Sequence, residues 1–247
     1  MKFEAVGFDY GNTLVLDPFE KVMSLKANDF VKIMEKNGYE ITKKKLIDVW
    51  RDVNLNVNYP FCSHFAQEIP LLRELLERLG VKRNDCYKIS QQLLVAYRSG
   101  LKQVLKKDAK IEKTKEVLEV LKNRGKKLFI ISNEKVHTLN AQLYWTGLYK
   151  FFDRIIVSQK LGVEKPEIRI FKYALKFFDF PNDRILFVGD DPLRDIKPAK
   201  SIGLKTALLE HPKEMSCSWR AYDVILEGEE KPDFVIKDLS ELLNIVK

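Results

Sequence analysis

Ile185-Leu186-Phe187-Val188-Gly189-Asp190-Asp191 is a continuous apolar run that stops on a glycine and two carboxylates. Four bulky apolar residues without polar alternation fit a strand buried on both faces, as inside a parallel sheet. The pattern recurs on either side. Leu128-Phe129-Ile130-Ile131 leads into Ser132-Asn133, and Phe3 to Phe8 leads into Asp9-Tyr10-Gly11-Asn12. Shorter runs stand at Arg154 to Val157, Leu204 to Leu208 and Phe234 to Ile236. Helical spacing fills the intervals, at Val117 to Lys122 (stopped by Gly125), Asn140 to Tyr144, Ile168 to Phe178 and Leu239 to Ile245. Strands alternating with helices predict an α/β fold, a parallel sheet covered by helices on both faces. Ligands of such sheets bind beyond the carboxyl ends of the strands, so the polar residues that follow the strands are the candidates for chemistry.

From Pro18 to Gly100 the pattern is helix after helix, with stripes at Leu25, Phe30, Ile33 and Met34, at Leu46, Val49, Trp50 and Val53, and at Leu71, Leu72, Leu75 and Leu79. This predicts a helical domain at 17–103 inserted into a sheet domain built from 1–16 and 104–247. The segment Leu55 to Ser63 breaks periodicity and reads as irregular, with Tyr59, Phe61 and His64 as candidate substrate contacts. Tyr173, Phe177 and Phe178 read as core, Asp17 as a cap for the first inserted helix, and 210–232 as a polar excursion that carries Trp219 and Tyr222.

A net charge of +8 suits either nucleic acid or a small anionic substrate. No long basic block with interleaved aromatics occurs, so nucleic acid is not expected as a partner. Cys62, Cys86 and Cys217 show no disulfide or zinc spacing, and Cys86 reads as a small core residue. Asp9 interrupts the first apolar stretch and no apolar run reaches about 18 residues, so neither a signal peptide nor a membrane span is expected and a cytoplasmic protein is.

Taken singly, each polar strand end has an ordinary explanation. Asp9 and Asp190-Asp191-Pro192 suit helix starts, Ser132-Asn133 an ordinary turn, and Lys165 before Pro166 an exposed loop. Together they form a chemical unit. Carboxylates from neighbouring strand ends can hold Mg²⁺, a hydroxyl and an amide can donate to phosphate oxygens, and a lysine adds positive charge. A carboxylate is also a competent nucleophile toward phosphorus.

The order Phe8-Asp9-Tyr10-Gly11-Asn12-Thr13-Leu14, Ile130-Ile131-Ser132-Asn133, Gly162-Val163-Glu164-Lys165-Pro166 and Val188-Gly189-Asp190-Asp191-Pro192-Leu193-Arg194-Asp195, followed by Ala199-Lys200-Ser201-Ile202-Gly203, resembles the four signatures of the haloacid dehalogenase superfamily. The resemblance implies a Rossmann-like core with a helical cap inserted between the first and second motifs. It also implies a magnesium-dependent phosphatase acting on a small phosphorylated metabolite, as a monomer or homodimer. It makes Asp9 the nucleophile and Thr13, Ser132, Asn133 and Lys165 the phosphate contacts, with Lys165 stabilising a phosphoaspartate. Mg²⁺ would be held by Asp9, the backbone carbonyl of Gly11 and Asp190; Asp191 and Asp195 are further candidates, Asp195 either as a ligand or orienting Lys165.

One departure stands out. The family's phosphatases usually carry a second aspartate two residues after the nucleophile, as acid and base, and here that position is Gly11. Positioned acid–base groups contribute about 10²–10⁴-fold, so Tyr10 or His64 would have to substitute, or the leaving group would need little help. The family's dehalogenases also lack this aspartate, which keeps a 2-haloacid dehalogenase as an alternative. A catalytically weak binding protein is another.

Overall fold

The computed structural model describes residues 2–58, 68–211 and 224–247. The chain forms two compact units, Met1–Asp17 with Asp108–Lys247, and Pro18–Lys107.

The first unit is built on six parallel strands, β1 (Ala5–Phe8), β2 (Lys127–Ser132), β3 (Arg154–Val157), β4 (Ile185–Gly189), β5 (Lys205–Leu209) and β6 (Phe234–Ile236), in the order β3-β2-β1-β4-β5-β6. The central strand β1 is buried throughout, and the edge strands β3 and β6 are partly exposed. This is why the inner strands read as uninterrupted apolar runs and the edge ones do not.

Side chains alternate between the two faces. One face buries Ala5, Phe129, Ile131 and Phe187 with Phe171 and Ala199 from the covering helices. On the other, Phe8 meets Phe152 edge-on. Gly7 is in register with both Phe129 and Phe187, and a Cβ there would lie 2.3 Å and 2.8 Å from their rings. The two phenylalanines therefore meet across β1 only because residue 7 has no side chain.

The second unit contains α1 (Phe19–Lys36), α2 (Lys43–Asn58), α3 (Glu68–Arg78) and α4 (Arg83–Lys106). Its core includes Phe30, Trp50, Leu75, Cys86 and Ile89, with Phe30 and Trp50 rings 4.9 Å apart. The buried Cys86 and the helical stripes agree with the sequence reading except at Leu25, which is half exposed. α2 continues to Asn58, so 55–58 is helical where irregular chain was expected. Tyr59, Phe61 and His64, like Trp219 and Tyr222, lie outside the described residues.

The first unit adds α5 (Ala109–Asn123), α6 (Val136–Thr146), α7 (Ser158–Leu161), α8 (Ile168–Leu175), α9 (Lys197–Ser201) and α10 (Leu242–Ile245). α8 stops before Phe177, so only part of the expected aromatic stripe is core. Phe178 packs on Phe129, whereas Tyr173 and Phe177 pair edge-to-face while each is more than a third exposed. Asp17 does not occupy the capping position of α1, which falls to Pro18.

Candidate active site

Phe8 at the end of β1 is in register with Ile130 and Val188, so the chain leaves the sheet at the carboxyl ends of its inner strands through Asp9, Ser132 and Asp190. Asp9 is fixed there by its amide, which donates to the Val188 carbonyl at 2.9 Å. Immediately after it, residues 10–15 close a tight turn. The amides of Leu14 and Val15 donate to the Tyr10 carbonyl, and the Asn12 amide donates to the Val15 carbonyl. This bridge uses groups of Tyr10 and Asn12 on one side and leaves Gly11's own carbonyl outside it.

The turn delivers Thr13 between two carboxylates. Its Oγ1 is 3.1 Å from Asp190 Oδ1 and 3.4 Å from Asp9 Oδ2, and its single proton suits the shorter contact. Lys165 Nζ donates to Asp9 Oδ1 and to Asp195 Oδ1, each at 2.6 Å. The lysine backbone is held by Asn133, whose Nδ2 donates to the Lys165 carbonyl at 3.0 Å while its Oδ1 accepts from the Lys165 amide at 2.9 Å. The Asn133 side chain thus fixes the lysine, a different task from the phosphate contact expected of it. Ser132 is buried, and its Oγ accepts from the Glu134 amide at 3.2 Å, which leaves the hydroxyl proton available to a ligand.

Asp191 and Asp195 divide the remaining work. Asp191 Oδ1 accepts from the amides of Leu193 and Arg194 at 2.9 and 3.0 Å, capping the π-helical turn Pro192–Ile196 that Pro192 opens. Asp195 Oδ2 accepts from the Asp191 amide at 3.1 Å while Oδ1 holds Lys165. Asp195 packs directly over Gly189, where a Cβ would come within 2.4 Å of Asp195 Cβ. The sequence reading overlooked this role of Gly189, although the glycine stands in the stretch that defines β4.

The electrostatics follow from burial. Oxygens of Asp9, Asp190 and Asp195 lie within 4.8 Å of one another in buried positions. Among the described residues the Lys165 ammonium lies against Asp9 and Asp195 of this cluster, in positions where water screens little. Burial pushes Asp9 up to about 6; the Lys165 charge opposes this and Asp195 adds to it. Asp191 is also raised, by burial and by Asp195. For Lys165, burial alone would lower the pKa, but Asp195 and Asp9 outweigh it and hold the ammonium charged. A cluster of hard carboxylate oxygens is the chemistry that suits Mg²⁺, and Asp9 and Asp190 are the carboxylates that could hold it.

The hydroxyl of Tyr10, a candidate for the missing acid, is buried and donates to Gln142 Oε1 at 3.2 Å. Burial raises its pKa strongly, which disfavours proton loss.

A profile of haloacid dehalogenase-like hydrolases matches residues 64–209. This chain belongs to that family. A ribulose-1,5-bisphosphate 5-phosphatase from Halopiger xanaduensis is 31% identical over 98% of each chain. A glyceraldehyde 3-phosphate phosphatase from Methanocaldococcus jannaschii is 34% identical over 134 residues, which cover 54% of this chain and 55% of that one. Among solved structures, the HAD-hydrolase YfnB of Bacillus subtilis, determined with magnesium bound, superposes with a TM-score of 0.69 at 22% identity over 100% of both chains. The likeness to YfnB is one of fold, and family membership makes this chain a hydrolase. Among the described residues no helix is long and apolar enough to cross a membrane.

Proposed function

We propose that this hydrolase is a magnesium-dependent phosphatase that cleaves a small phosphate ester through a phosphoaspartate on Asp9. The observation that carries the reading is the arrangement around Asp9. One of its carboxylate oxygens is held by Lys165 Nζ at 2.6 Å, and the other faces Thr13, whose hydroxyl also reaches Asp190.

In this reading Asp9 attacks phosphorus, the bond to the ester oxygen breaks, and that oxygen leaves as an alkoxide that takes its proton from solvent water, since residue 11 has no acid. Water then attacks the phosphoryl group and gives up a proton to solvent, the bond to Asp9 breaks to return its carboxylate, and inorganic phosphate departs. The Lys165 ammonium and the Ser132 hydroxyl stabilise the charge that collects on the phosphoryl oxygens. Asp195 and Asn133 keep Lys165 in place, from its ammonium and its backbone respectively. Mg²⁺, held by Asp9, Asp190 and the Gly11 carbonyl, would offset the repulsion between an anionic nucleophile and an anionic phosphate. The relatives named for ribulose-1,5-bisphosphate and glyceraldehyde 3-phosphate support a small phosphorylated metabolite as substrate. The role of cap falls to the helical unit Pro18–Lys107, at the place in the chain where the family inserts one.

Gly11 keeps the 2-haloacid dehalogenase as a second reading. Against it stands the buried carboxylate cluster of Asp9, Asp190 and Asp195, since attack on a neutral carbon, unlike attack on an anionic phosphorus, has no repulsion at the reacting centre for a divalent cation to offset. Phosphate release from p-nitrophenyl phosphate and a panel of sugar phosphates, with Mg²⁺ and with EDTA, tests the proposal. Release that needs Mg²⁺ and disappears in Asp9→Asn supports it. Chloride release from 2-chloropropionate without phosphate release from any ester would replace it.

A further inference from the structure

The turn that follows Asp9 is held from outside by a residue that none of the four motifs includes. Asn12 has φ +58°, a left-handed conformation that residues other than glycine rarely adopt, and it is the one such non-glycine among the described residues. Asn12 is 3% exposed, and three of its polar groups are engaged. Its amide donates to the Val15 carbonyl at 2.6 Å, and its Oδ1 accepts from the Asp17 amide at 2.8 Å. Its carbonyl lies 2.6 Å from Nε2 of His211. A carbonyl can only accept, so Nε2 carries the hydrogen.

His211 is well placed to hold another element. β5 ends at Leu209, and the Glu210 amide still donates to the Ile236 carbonyl of β6 at 2.8 Å. The imidazole therefore projects from backbone pinned to the sheet until the residue before it. Its partner stands between the two groups that matter most in the turn, the Gly11 carbonyl on one side and the Thr13 hydroxyl on the other. Rotation of the Asn12–Thr13 peptide would carry Thr13 with it, and Thr13 is the group that lies between Asp9 and Asp190.

We propose that His211 is a positioning residue. It donates through Nε2 to the Asn12 carbonyl, holds Asn12 left-handed, and thereby sets Thr13 against Asp9 and Asp190. The effect on rate rests on the phosphatase reading; the hydrogen bond does not. His211 itself touches no reacting atom in this scheme. Its loss acts as a misplacement of about an ångström or less in the nucleophile's turn, for which losses approaching about 10²-fold are typical.

Two variants and one spectrum test this. His211→Ala should lower kcat for Mg²⁺-dependent release from p-nitrophenyl phosphate by about ten- to a hundredfold, with KM little changed. His211→Gln, which keeps an N–H donor of similar reach, should restore most of that loss, and the pH–rate profile should keep its shape in both. Independently of turnover, the chain's three histidines allow His211 to be assigned by ¹⁵N-histidine NMR from its absence in the His211→Gln spectrum. It should be the Nε2–H tautomer. An Nδ1–H tautomer would overturn the proposal, as would His211→Ala with wild-type kcat. So would a His211→Gln variant as slow as His211→Ala that also lacks one limb of the pH profile, because that result assigns proton transfer. A wild-type protein that releases no phosphate but shows the Nε2–H tautomer would count against the phosphatase and leave the hydrogen bond standing.

Discussion

Replacing Gly189 by alanine adds one methyl group at a position that touches no substrate, yet the geometry predicts a large loss of activity. The new Cβ would lie 2.4 Å from Asp195 Cβ and 2.5 Å from its Cγ and Oδ2. Ordinary carbon contacts settle at about 3.5 Å or more, so Asp195 must retreat by roughly 1 Å. The Lys165–Asp195 hydrogen bond, 2.6 Å in the wild type, would then exceed about 3.5 Å and be lost. The lysine holding Asp9 would lose its second anchor, and a displacement of this size costs about 10²-fold in rate. Overpacking adds about 1–3 kcal/mol of destabilisation. The assay is kcat on p-nitrophenyl phosphate beside a urea titration of the same preparations. Because the effect runs through Asp195, adding Gly189→Ala to Asp195→Gly should lower kcat no further. A folded Gly189→Ala protein within about twofold of wild-type kcat would refute the claim that Asp195 positions Lys165.

Other consequences are simpler to state. Among the described residues nothing lies within 4 Å of a Cβ built on Gly11, so Gly11→Asp should fold normally; on alkyl phosphates it should raise kcat by about 10²-fold, the lower end of acid–base contributions, with little gain on p-nitrophenyl phosphate. Tyr10→Phe removes a hydroxyl committed to Gln142 and should keep kcat within about twofold while costing about 1 kcal/mol of stability in a urea titration. Asp233 is depressed: burial alone would raise it, but Lys200, Lys205 and the Thr206 amide outweigh that. A depressed folded pKa contributes stability above the ordinary aspartate value and loses it as pH falls through the lower folded value. Asp233→Asn should therefore cost about 1–2 kcal/mol at neutral pH, and the difference from wild type should shrink as pH falls below the ordinary aspartate value.

The strand ends were legible in the sequence because strands buried on both faces leave no alternation to blur, so the first polar residue after each run announces itself. Asp9, Ser132 and Asp190 were found this way, and their convergence follows from parallel register alone. The relations between side chains were not legible. No spacing says that Asn133 will turn to the backbone of a residue 32 positions away, or that Asp191 will cap a turn while Asp195 takes the lysine. Gly189 reads as an ordinary end of a strand until Asp195 is seen lying over it. His211 does obey the strand-end rule, since it follows β5 by two residues, but a lone histidine there carried no partner in sequence. Helix ends were blurred for a physical reason: α8 stops at Leu175 without glycine or proline, and the aromatic stripe beyond it continues the periodicity into a turn.

The central claim is that Asp9 carries the phosphoryl group, and chemical trapping tests it most directly. Acid-quenching the protein during turnover, reducing with borohydride and sequencing the peptide around position 9 would convert an acyl phosphate there into homoserine. The account predicts homoserine at position 9, dependent on substrate and Mg²⁺ and absent from Asp9→Asn. Steady phosphate release with an unmodified Asp9, or reduction at a different carboxylate, would contradict it.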